Sequence, residues 1–325
     1  MKLQILVPRW REDETVIRPL LDSIALQQGV DFREIGVVIA NDGLESELPE
    51  EFLRGYPFRL VEAWQAHAGV SAARNLALDA ATAEYVMFCD ADDMFSNLLA
   101  LQTIFRETEE GFDTLWSAFV EESRHPQTGE PVFLLRERDT TFVHGKVHRR
   151  QWLIDHDIRW DDRLTVHEDN YFHTLVQCCG PEMRYCERPF YLWRWRDDSA
   201  CRSDPDFMRR TYPQLIDARD ALADELERRG MPERAAEVTV QTTLDAYYAM
   251  QAPSWLAPGS AEHRRAAEER FAAFWRKHAD AWHTTAAGEI ARTAGPIRER
   301  FVREGMEPET VTVRDWLRHI EEDYT

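Results

Sequence analysis

Three carboxylates lie within four consecutive positions of the chain, directly after an apolar run. In the stretch EYVMFCDADDMFSN, residues 84–97, the apolar positions 85–89 are followed by Asp90, Asp92 and Asp93. A continuous apolar run of this kind is typical of a strand that is covered on both faces. Carboxylates this close together repel one another, and a bound cation relieves the repulsion. One interpretation of the stretch is therefore a cation site at the end of a buried strand.

Four interpretations of this acidic cluster differ in their sequence requirements. A calcium loop of the helix-loop-helix type needs Gly at its sixth position and Glu at its twelfth, where Phe95 and Leu101 stand. A phosphatase with an aspartyl nucleophile needs a small pair after the acids, which Met94 and Phe95 do not supply. A polar turn that caps a helix starting near Asn97 is the simplest structural alternative. The fourth interpretation is a DxD motif, whose carboxylates bind Mg²⁺ or Mn²⁺ while the ion binds diphosphate oxygens.

The segments around the acidic cluster alternate between strand-like and helix-like patterns. Strands are predicted at residues 3–7, within EIGVVIANDG at 34–43, at 58–63 and at 85–89, and helices at 13–28 and within 69–83. This alternation predicts an α/β fold with right-handed crossovers and a mostly parallel sheet flanked by helices. Ligands bind at the carboxyl ends of the strands in such sheets, so we expect Asp42 and the Asp90 cluster to face one crevice.

The second half of the chain carries a different pattern. Beyond residue 100 the sequence predicts short strands and loops, with a helix at 169–179. From about residue 205 onward it predicts helices, with Gly230 closing one of them and a Pro- and Gly-containing break at 252–259. We therefore predict two domains, an α/β domain at 1–204 and an α-helical C-terminal domain at 205–325.

Composition and charge narrow the function classes. The formal net charge of −20 disfavours duplex nucleic acid as a partner, because phosphate contacts require a basic surface. No apolar run approaches the roughly 20 residues of a membrane-spanning helix, and the opening MKLQILVPRW is interrupted too early for a signal peptide. The five cysteines are odd in number and irregularly spaced, which favours reduced thiols. These features predict a cytoplasmic protein without an integral membrane segment.

Two histidines, His144 and His148, stand at the i, i+4 spacing of a helix. Such a pair can bind zinc from one helix face, but no HExxH motif or cysteine pair accompanies it here. We therefore predict that both are surface histidines.

Several motifs occur together in an order that resembles the inverting glycosyltransferases of family 2, which have the GT-A fold. Pro8 ends the first strand, and LLDSIALQQ, VVIANDG, HAGVSAARNLALDAA, YVMFCDADD, GKVHRR and HEDNYF follow in the family's order. The resemblance covers about residues 3–200. It implies transfer of a sugar, with inversion, from a nucleotide sugar to a glycan or other hydroxyl acceptor. A UDP-sugar is the implied donor, and Mn²⁺ or Mg²⁺ the implied cofactor.

The resemblance also implies roles for residues of the donor site. Asp92 is the expected metal ligand, and Asp90 is expected to contact the ribose or to reach the metal through water. Asp42 resembles the carboxylate that accepts a hydrogen bond from uracil, although a turn Asp is the default for an isolated Asp-Gly pair. Arg74 resembles the arginine near the diphosphate, and pairing with the acids is an alternative that is compatible with that role. Pro8 belongs to the same predicted donor site.

A second set of residues is expected to act on the acceptor. Asp169 in HEDNYF is the expected general base, and Glu168 is expected to bind the acceptor or groups around the metal. The alternative for this acidic pair is a helix N-terminus, where carboxylates complement the macrodipole. Trp193 and Trp195 are expected either to stack on a sugar ring or to alternate along a strand. Asp93 is expected to orient its neighbours or to bind the metal directly.

Three departures from the family pattern keep a non-catalytic function open, and a sugar nucleotidyltransferase is a separate alternative. The chain has His67 and Ala68 where the family commonly has Asn-Gly, and Leu44 where a Ser or Thr is common. A non-catalytic carbohydrate- or partner-binding protein with this fold would accommodate such departures. A sugar nucleotidyltransferase usually carries a Gly-rich phosphate loop after the first strand, whereas VPRWREDET contains no glycine.

Overall fold

The computed structural model describes residues 1–43, 47–197, 199, 201–202, 204, 206–306 and 311–324. The chain divides into two compact units, Met1–Asp197 and Asp198–Thr325. The predicted domain boundary between residues 204 and 205 lies near this division and stays a prediction. Leu44, one of the departures from the family pattern, lies outside the described residues.

The first unit is built around one sheet of nine strands. The strands are β1 (Leu3–Arg9), β2 (Ile35–Asp42), β3 (Arg59–Gln65), β4 (Tyr85–Phe88), β5 (Met94–Phe95), β6 (Thr114–Arg124), β7 (Pro131–Arg136), β8 (Lys146–Arg149) and β9 (Met183–Trp193). The helices are α1 (Glu14–Ala25), α2 (Glu50–Leu53), α3 (Val70–Ala80), α4 (Ala100–Glu110), α5 (Arg150–Asp155) and α6 (Glu168–Cys178), with a 3₁₀ turn at Phe32–Glu34.

The strand order of the sheet is β3-β2-β1-β4-β8-β6-β9-β5, and β7 pairs with β6. β1 is parallel to both β2 and β4, and β2 is parallel to β3. Helices α1, α2 and α3 stand between these strands in the chain, as crossovers between parallel strands require. β8 is antiparallel to both β4 and β6, whereas β9 is parallel to β6. The predicted α/β fold is confirmed: the first four strands are parallel to one another, and β6 and β9 form a further parallel pair.

Burial explains why the apolar runs become the central strands. Every residue of β2 and β4 is buried, and β1 is buried along nearly its whole length. Two-sided burial is what parallel strands covered by helices experience. The register pairs Arg9 with Asn41, so the ends of β1 and β2 meet at one edge of the sheet. The segments that follow these strands are therefore brought together.

Strands β6 and β9 are longer than the sequence indicated. The pattern beyond residue 100 predicted short strands, but each of these two contains eleven residues. Their length depends on partners from distant parts of the chain, because β6 pairs with β7, β8 and β9 along different stretches. The sequence of β6 contains no continuous apolar run that would have indicated this length.

The second unit is helical, as predicted. Its helices are α7 (Phe207–Arg210), α8 (Tyr212–Arg228), α9 (Pro232–Gln251), α10 (Pro253–Leu256), α11 (Ala261–Thr284), α12 (Ala287–Arg303) and α13 (Val313–Asp323), with a 3₁₀ turn at Pro258–Ser260. Gly230 follows α8 with a φ of 73°, and the break predicted at 252–259 separates α9 from α11. None of the helices in the described part of the chain has the length and apolar character of a membrane span.

The turn that follows β2 requires a glycine at position 43, and substitution of Gly43 tests this requirement. Its φ is 75°, and a Cβ at this position would lie 2.6 Å from the backbone nitrogen of His67. Gly129 has a similar φ of 72° but has nothing within 4 Å of the added Cβ. We expect Gly129→Ala to lower the free energy of unfolding by about 1 kcal/mol through backbone strain, and Gly43→Ala by about 2 kcal/mol more through overpacking. Denaturant unfolding of the two variants measures the difference, and equal losses would contradict it.

Candidate active site

A cleft of about 310 Å³ lies at the carboxyl edge of the parallel strands. Its lining comes from the ends of β1 and β2, the start of α3 and the segment after β4. The lining residues are Pro8, Arg9, Trp10, Glu12, Asp42, His67, Gly69, Val70, Ala73, Arg74, Asp90, Ala91 and Asp92. The cleft therefore brings together the predicted donor-site residues Pro8, Asp42, Arg74, Asp90 and Asp92.

Asp42 ends β2 with a carboxylate that is saturated with hydrogen bonds. Its Oδ1 accepts hydrogen bonds from Gln65 Nε2 and the Ala68 amide, both at 2.8 Å. Its Oδ2 accepts them from His67 Nδ1 at 2.8 Å and from the Gly69 amide at 2.9 Å. Burial opposes ionisation of Asp42, but the four donors outweigh burial and lower its pKa. The carboxylate thus fastens the segment between β3 and α3 to the end of β2.

This saturation constrains how Asp42 can bind a nucleobase. A carboxylate has about four lone-pair positions for hydrogen bonds, and the four donors around Asp42 occupy them. A hydrogen bond from a uracil ring must therefore replace one of these donors. The side chains of Gln65 and His67 can rotate away, whereas the two amides belong to the backbone. Recognition of the base by Asp42 stays a prediction.

Trp10 is a cleft residue that the sequence analysis missed. Its ring is 40% exposed and stacks on the ring of His67, with centroids 4.6 Å apart and planes inclined by 12°. His67 in turn binds Asp42, so the aromatic pair lies directly beside that carboxylate. The sequence signal for Trp10 was its place two positions after Pro8, at the end of β1. The neighbouring strand β2 ends in Asp42. The guanidinium carbon of Arg11 also lies 3.8 Å from the centre of the Trp10 ring, so a planar ligand can stack on Trp10 when Arg11 or His67 moves away.

Arg74 joins the end of β4 to the start of α6. Its Nη2 donates to Asp90 Oδ1 at 2.9 Å, and its Nη1 donates to Glu168 Oε1 at 2.7 Å. The side chain is 4% exposed, and its guanidinium carbon lies 4.5 Å from the centre of the Trp160 ring. Burial lowers the pKa of Arg74, but the charges of Asp90 and Glu168 outweigh burial and raise it. The structure contains the predicted pairing of Arg74 with the acids, and its role near the diphosphate stays a prediction.

Asp93 is a buried support of the acidic cluster. The Tyr191 hydroxyl donates to its Oδ2 at 2.6 Å, and the Arg194 amide donates to its Oδ1 at 2.8 Å. The same hydroxyl accepts a hydrogen bond from the Asp90 amide at 3.1 Å. Burial and the charges of Asp92 and Asp90 raise the pKa of Asp93 well above its usual value. β9 therefore holds the segment after β4 in place through Tyr191.

The interpretation of the acids as a helix cap is wrong. Helix α4 begins at Ala100, and Asn97 Oδ1 accepts a hydrogen bond from the Leu99 amide just before it. Asp90 instead pairs with Arg74, and Asp93 accepts a hydrogen bond from Tyr191. Asp90 and Asp92 line the cleft. The reason is the short strand β5, which separates the acidic cluster from α4.

Asp92 is the most open acid of the cluster. Its side chain is 36% exposed and lies in the cleft. Burial and the charge of Asp90 raise the pKa of Asp92 to about 6, and Arg196, whose Nη1 lies 3.7 Å from Asp92 Oδ2, opposes this rise. An acid with a raised pKa and an open oxygen gains from a bound cation.

The donor atoms around the acids fit a divalent cation. Ligand atoms of Asp90, Asp93 and His144 all lie within 4.8 Å of one another. Carboxylate oxygens with one imidazole nitrogen form a set that Mn²⁺ accepts. Of the two predicted ligands, Asp90 belongs to this group, and Asp92 adjoins it in the cleft. The sequence analysis did not place His144 beside these acids.

The prediction that His144 and His148 are surface residues is wrong. Both are buried, and His148 lies in β8, which is paired on both sides. Their spacing therefore belongs to a strand and the turn before it, not to a helix. Burial and the charge of Lys146 lower the pKa of His148 to about 3.

Asp169 lies in the first turn of α6, directly after Glu168. The residue before the helix, His167, has a left-handed backbone with a φ of 61°. The Asp169 carboxylate accepts a hydrogen bond from the Asn170 amide at 2.8 Å. Burial and the charge of Glu168 raise the pKa of Asp169 to about 8, although Arg74 opposes the rise. A carboxyl of this pKa can exchange a proton near neutral pH.

The two predicted aromatic residues are not among the residues that line the cleft. Trp193 packs against Phe142 and His144, with ring centroids 5.2 Å and 4.9 Å apart. Trp195 donates its indole N–H to Asp197 at 2.9 Å. Trp193 ends β9 and belongs to the apolar core beside the acidic cluster. Stacking of either ring on a sugar stays a prediction.

Comparison with protein families and sequences identifies related proteins. The family model described as Glycosyl transferase family 2 matches residues 4–158. The uncharacterized glycosyltransferase YibD of Escherichia coli is 26% identical over 226 residues, which cover 62% of this chain and 63% of that protein. The minor teichoic acid biosynthesis protein GgaB of Bacillus subtilis is 23% identical over 208 residues, which cover 58% of this chain and 22% of that protein. The chain therefore spans less than two thirds of the length of these relatives.

Solved structures share the fold. S. aureus TarS 1–349 superposes with a TM-score of 0.60 and 17% identity over 95% of this chain and 93% of that chain. The complex of TarS 1–349 with UDP-GlcNAc superposes with a TM-score of 0.58 and 19% identity over the same shares. The mannosyltransferase PcManGT of Pyrobaculum calidifontis, in complex with GDP-Man and Mn²⁺, gives 0.51 and 14% over 94% and 84%. These likenesses establish the GT-A fold.

The link through Arg74 can be tested by its removal. We expect Arg74→Ala to lower the free energy of unfolding by about 3 kcal/mol, because Asp90 and Glu168 would lose the charge between them. The control is Arg159→Ala, because Arg159 forms an exposed ion pair with Asp79 and should contribute at most about 1 kcal/mol. Denaturant unfolding compares the two variants, and a loss for Arg74→Ala no larger than the control's would contradict the link.

Proposed function

The chain carries a family 2 glycosyltransferase domain with the GT-A fold, and we propose that it transfers a sugar from a UDP-sugar to a hydroxyl acceptor with inversion at the anomeric carbon. The observation that carries this proposal is the convergence of acids on one cleft. Asp42, Asp90 and Asp92 line the cleft, and Arg74 links Asp90 to Glu168. The first unit therefore contains the residues that we assign to the nucleotide, to the diphosphate and to the acceptor.

The nucleotide end of the donor is assigned to Asp42 and Trp10. Once Arg11 moves off the Trp10 ring, that ring can stack on a nucleobase. A donor of Asp42 then gives way so that the carboxylate can accept a hydrogen bond from the base. Pro8 contributes to the same end of the cleft. The likeness to TarS, which was solved with UDP-GlcNAc, supports a UDP-sugar as the donor.

The charges of the cleft support a cation as a partner of the donor. Four acids and two bases line it: Glu12, Asp42, Asp90, Asp92, Arg9 and Arg74. A diphosphate would be repelled by this balance unless a positive charge entered with it. We assign Mn²⁺ or Mg²⁺ to Asp92 and Asp90, with Asp93 and His144 adjoining them. When bound, the ion would supply positive charge that stabilises the departing diphosphate.

Asp169 is the proposed general base. Its carboxylate accepts the proton of the acceptor hydroxyl while that oxygen forms its bond to the anomeric carbon. The bond from the anomeric carbon to UDP breaks in the same displacement, and its electron pair leaves with the diphosphate. Attack on the face opposite the departing UDP inverts the anomeric carbon. Glu168, which accepts a hydrogen bond from Arg74, is assigned to orient the acceptor.

The acceptor is proposed to be a hydroxyl group of a glycan or similar polymer. The name of GgaB, a minor teichoic acid biosynthesis protein, supports a polymer of this kind. The family match supports a transferase over the non-catalytic and nucleotidyltransferase alternatives. The turn between β1 and α1 also contains no glycine for a phosphate loop.

A cytoplasmic location is part of the proposal. The cysteines are free thiols, which are Cys89, Cys178, Cys179, Cys186 and Cys201. Free thiols are typical of a reducing compartment.

The metal assignment predicts a pH-dependent affinity. Because the pKa of Asp92 is about 6, a proton competes with the cation below that pH. Mn²⁺ binding measured by calorimetry should be strong at pH 7.5 and weaken about tenfold for each pH unit below 6. Asp92→Asn should abolish this dependence together with most of the affinity.

A matched variant separates the two possible ligand sets. His144→Gln removes the imidazole of the group formed by Asp90, Asp93 and His144. If Mn²⁺ affinity falls for His144→Gln and is unchanged for Asp92→Asn, the assignment to Asp92 is wrong.

The base assignment predicts an activity profile. Because the pKa of Asp169 is about 8 and only the carboxylate accepts a proton, UDP release from UDP-GlcNAc should rise with pH and level off above about 8. Asp169→Asn should reduce the rate by about 10² to 10⁴ and remove this pH dependence. UDP-GlcNAc binding by calorimetry is the control and should persist in the variant. An unchanged profile in Asp169→Asn would refute the assignment.

A further inference from the structure

Strand β7 lies at an edge of the sheet and carries exposed apolar side chains. Among the described strands it has one partner, β6. The side chains of Phe133, Leu134 and Leu135 are 61%, 42% and 53% exposed. Because successive side chains of a strand point to opposite faces, apolar groups are exposed on both faces of β7. Contiguous exposed apolar groups of this kind commonly mark an interaction site.

The sequence of β7 fits a strand that is covered on both faces. Four consecutive positions, from Val132 to Leu135, are apolar, whereas a strand with one solvated face alternates apolar and polar residues. The cross-strand neighbours on β6 give these four side chains little apolar cover, because they are Ser123, Glu122, Glu121 and Val120. β7 therefore has an apolar surface that its own sheet leaves uncovered.

The other edges of the sheet carry features that discourage pairing with another molecule. β3, at one end of the sheet, contains Arg59 and Glu62, and β5, at the other end, has two residues. Charged side chains and short length both protect an edge strand. In β7 the proline and the arginine stand at the two ends of the strand, at Pro131 and Arg136. Among the strands that the structure describes, β7 therefore has the least protected edge.

The backbone of β7 also has hydrogen-bonding groups that face away from β6. The turn between the two strands is closed by the His125 amide, which donates to the Glu130 carbonyl at 2.8 Å. Hydrogen-bonded and non-hydrogen-bonded pairs alternate along an antiparallel ladder, so the even positions within 132–136 direct their backbone groups to β6. The N–H and C=O groups of Phe133 and Leu135 then face the outer edge.

We propose that the outer edge of β7 pairs antiparallel with β7 of a second copy of this chain, so that two sheets become one continuous sheet across a two-fold axis. An axis at Leu134 places Phe133 of each copy opposite Leu135 of the other. These two pairs form four hydrogen bonds and use every outward-facing backbone group of both residues. The inference goes beyond the proposed function and does not depend on it.

The local charges permit a second copy as the occupant. The formal net charge of −20 opposes self-association in general, but the charge of Arg136 on β7 is paired with Glu121 at 2.7 Å. The axis at Leu134 also places the exposed Glu130 of each copy opposite the exposed Arg138 of the other, whose guanidinium carbon lies 4.6 Å from the centre of its own Tyr185 ring. The pairing thus brings opposite charges together at both ends.

The test measures the mass of the full chain in solution by sedimentation velocity, without donor or metal. One strand pair is a small interface, so we expect a Kd of about 1–100 µM. The mass should then rise from 38.0 kDa toward twice that value as the protein concentration increases through this range. A single-valued mass of 38.0 kDa at all these concentrations overturns the inference and means that β7 has another occupant.

Two substitutions on β7 test where the contact lies. Phe133→Lys and Leu135→Lys should each weaken the dimer by about tenfold or more, because a lysine places a hydrated charge in the apolar contact at the edge. Both positions are exposed, so circular dichroism should show an unchanged fold. The control is Leu26→Lys, because Leu26 is 63% exposed and directly follows α1. It should leave the dimer unchanged.

Disulfide cross-linking tests the register. Leu134 meets its own copy at a non-hydrogen-bonded pair, where the Cα atoms lie about 4.5 Å apart, which a disulfide can span. Leu134→Cys should therefore form a covalent dimer when oxidised glutathione accepts the two electrons of the paired thiols. Glu130→Cys is the matched control, because its two Cα atoms would lie about 27 Å apart. The unsubstituted chain, with its five cysteines, is the second control.

The outcomes decide the inference independently of sugar transfer. A dimer that both lysine variants retain, or that Leu26→Lys also loses, overturns the inference, because the contact then lies elsewhere or is not specific to β7. Unfolding of both lysine variants overturns it as well, because β7 would then support the fold. A disulfide that forms as readily in Glu130→Cys as in Leu134→Cys contradicts the register. A failure of the proposed function would change none of these measurements, because none uses the donor.

Discussion

One buried guanidinium holds the candidate active site together. Arg74 lies on α3, Asp90 follows β4 and Glu168 begins α6, so a single side chain joins three elements that are far apart in the chain. The two carboxylates would repel each other without the charge between them. The position of Asp169, one residue after Glu168, depends on this link. Arg74 therefore links the donor site to the helix that carries the proposed base.

The aspartates of the site fall into two physical classes. Asp42 and Asp93 are buried and accept hydrogen bonds from backbone amides and side chains, so they fasten segments of the chain. Asp92 and Asp169 carry few such bonds, and burial and neighbouring acids raise their pKa values to about 6 and about 8. Hydrogen bonds compensate the charge of Asp42 and lower its pKa, whereas burial and the charges of Asp92 and Asp90 raise the pKa of Asp93 despite its hydrogen bonds. A carboxylate whose charge is not compensated gains from a cation or a proton.

The strand pattern predicted much of the donor site before any coordinates. Parallel strands are buried on both faces and end at one edge, so apolar runs followed by Asp42 and by the acids from Asp90 onward mark that edge. This reasoning works because burial of a central strand is recorded in consecutive residues. The strand that contains His148 could not be found by this reasoning, because β8 is four residues long and carries no such apolar run.

The sequence alone determined the α/β class, the helical second unit and the acids at the strand ends, because each follows from local periodicity. Only the tertiary structure decided which groups meet these acids. Tyr191 reaches Asp93 from 98 positions away, and Arg74 reaches Glu168 from 94 positions away. The burial of His144 and Lys146 was decided in the same way, by the packing of β8 and the turn before it. Contacts over such separations depend on the order of strands in the sheet. The residue pattern of a single segment does not predict this order.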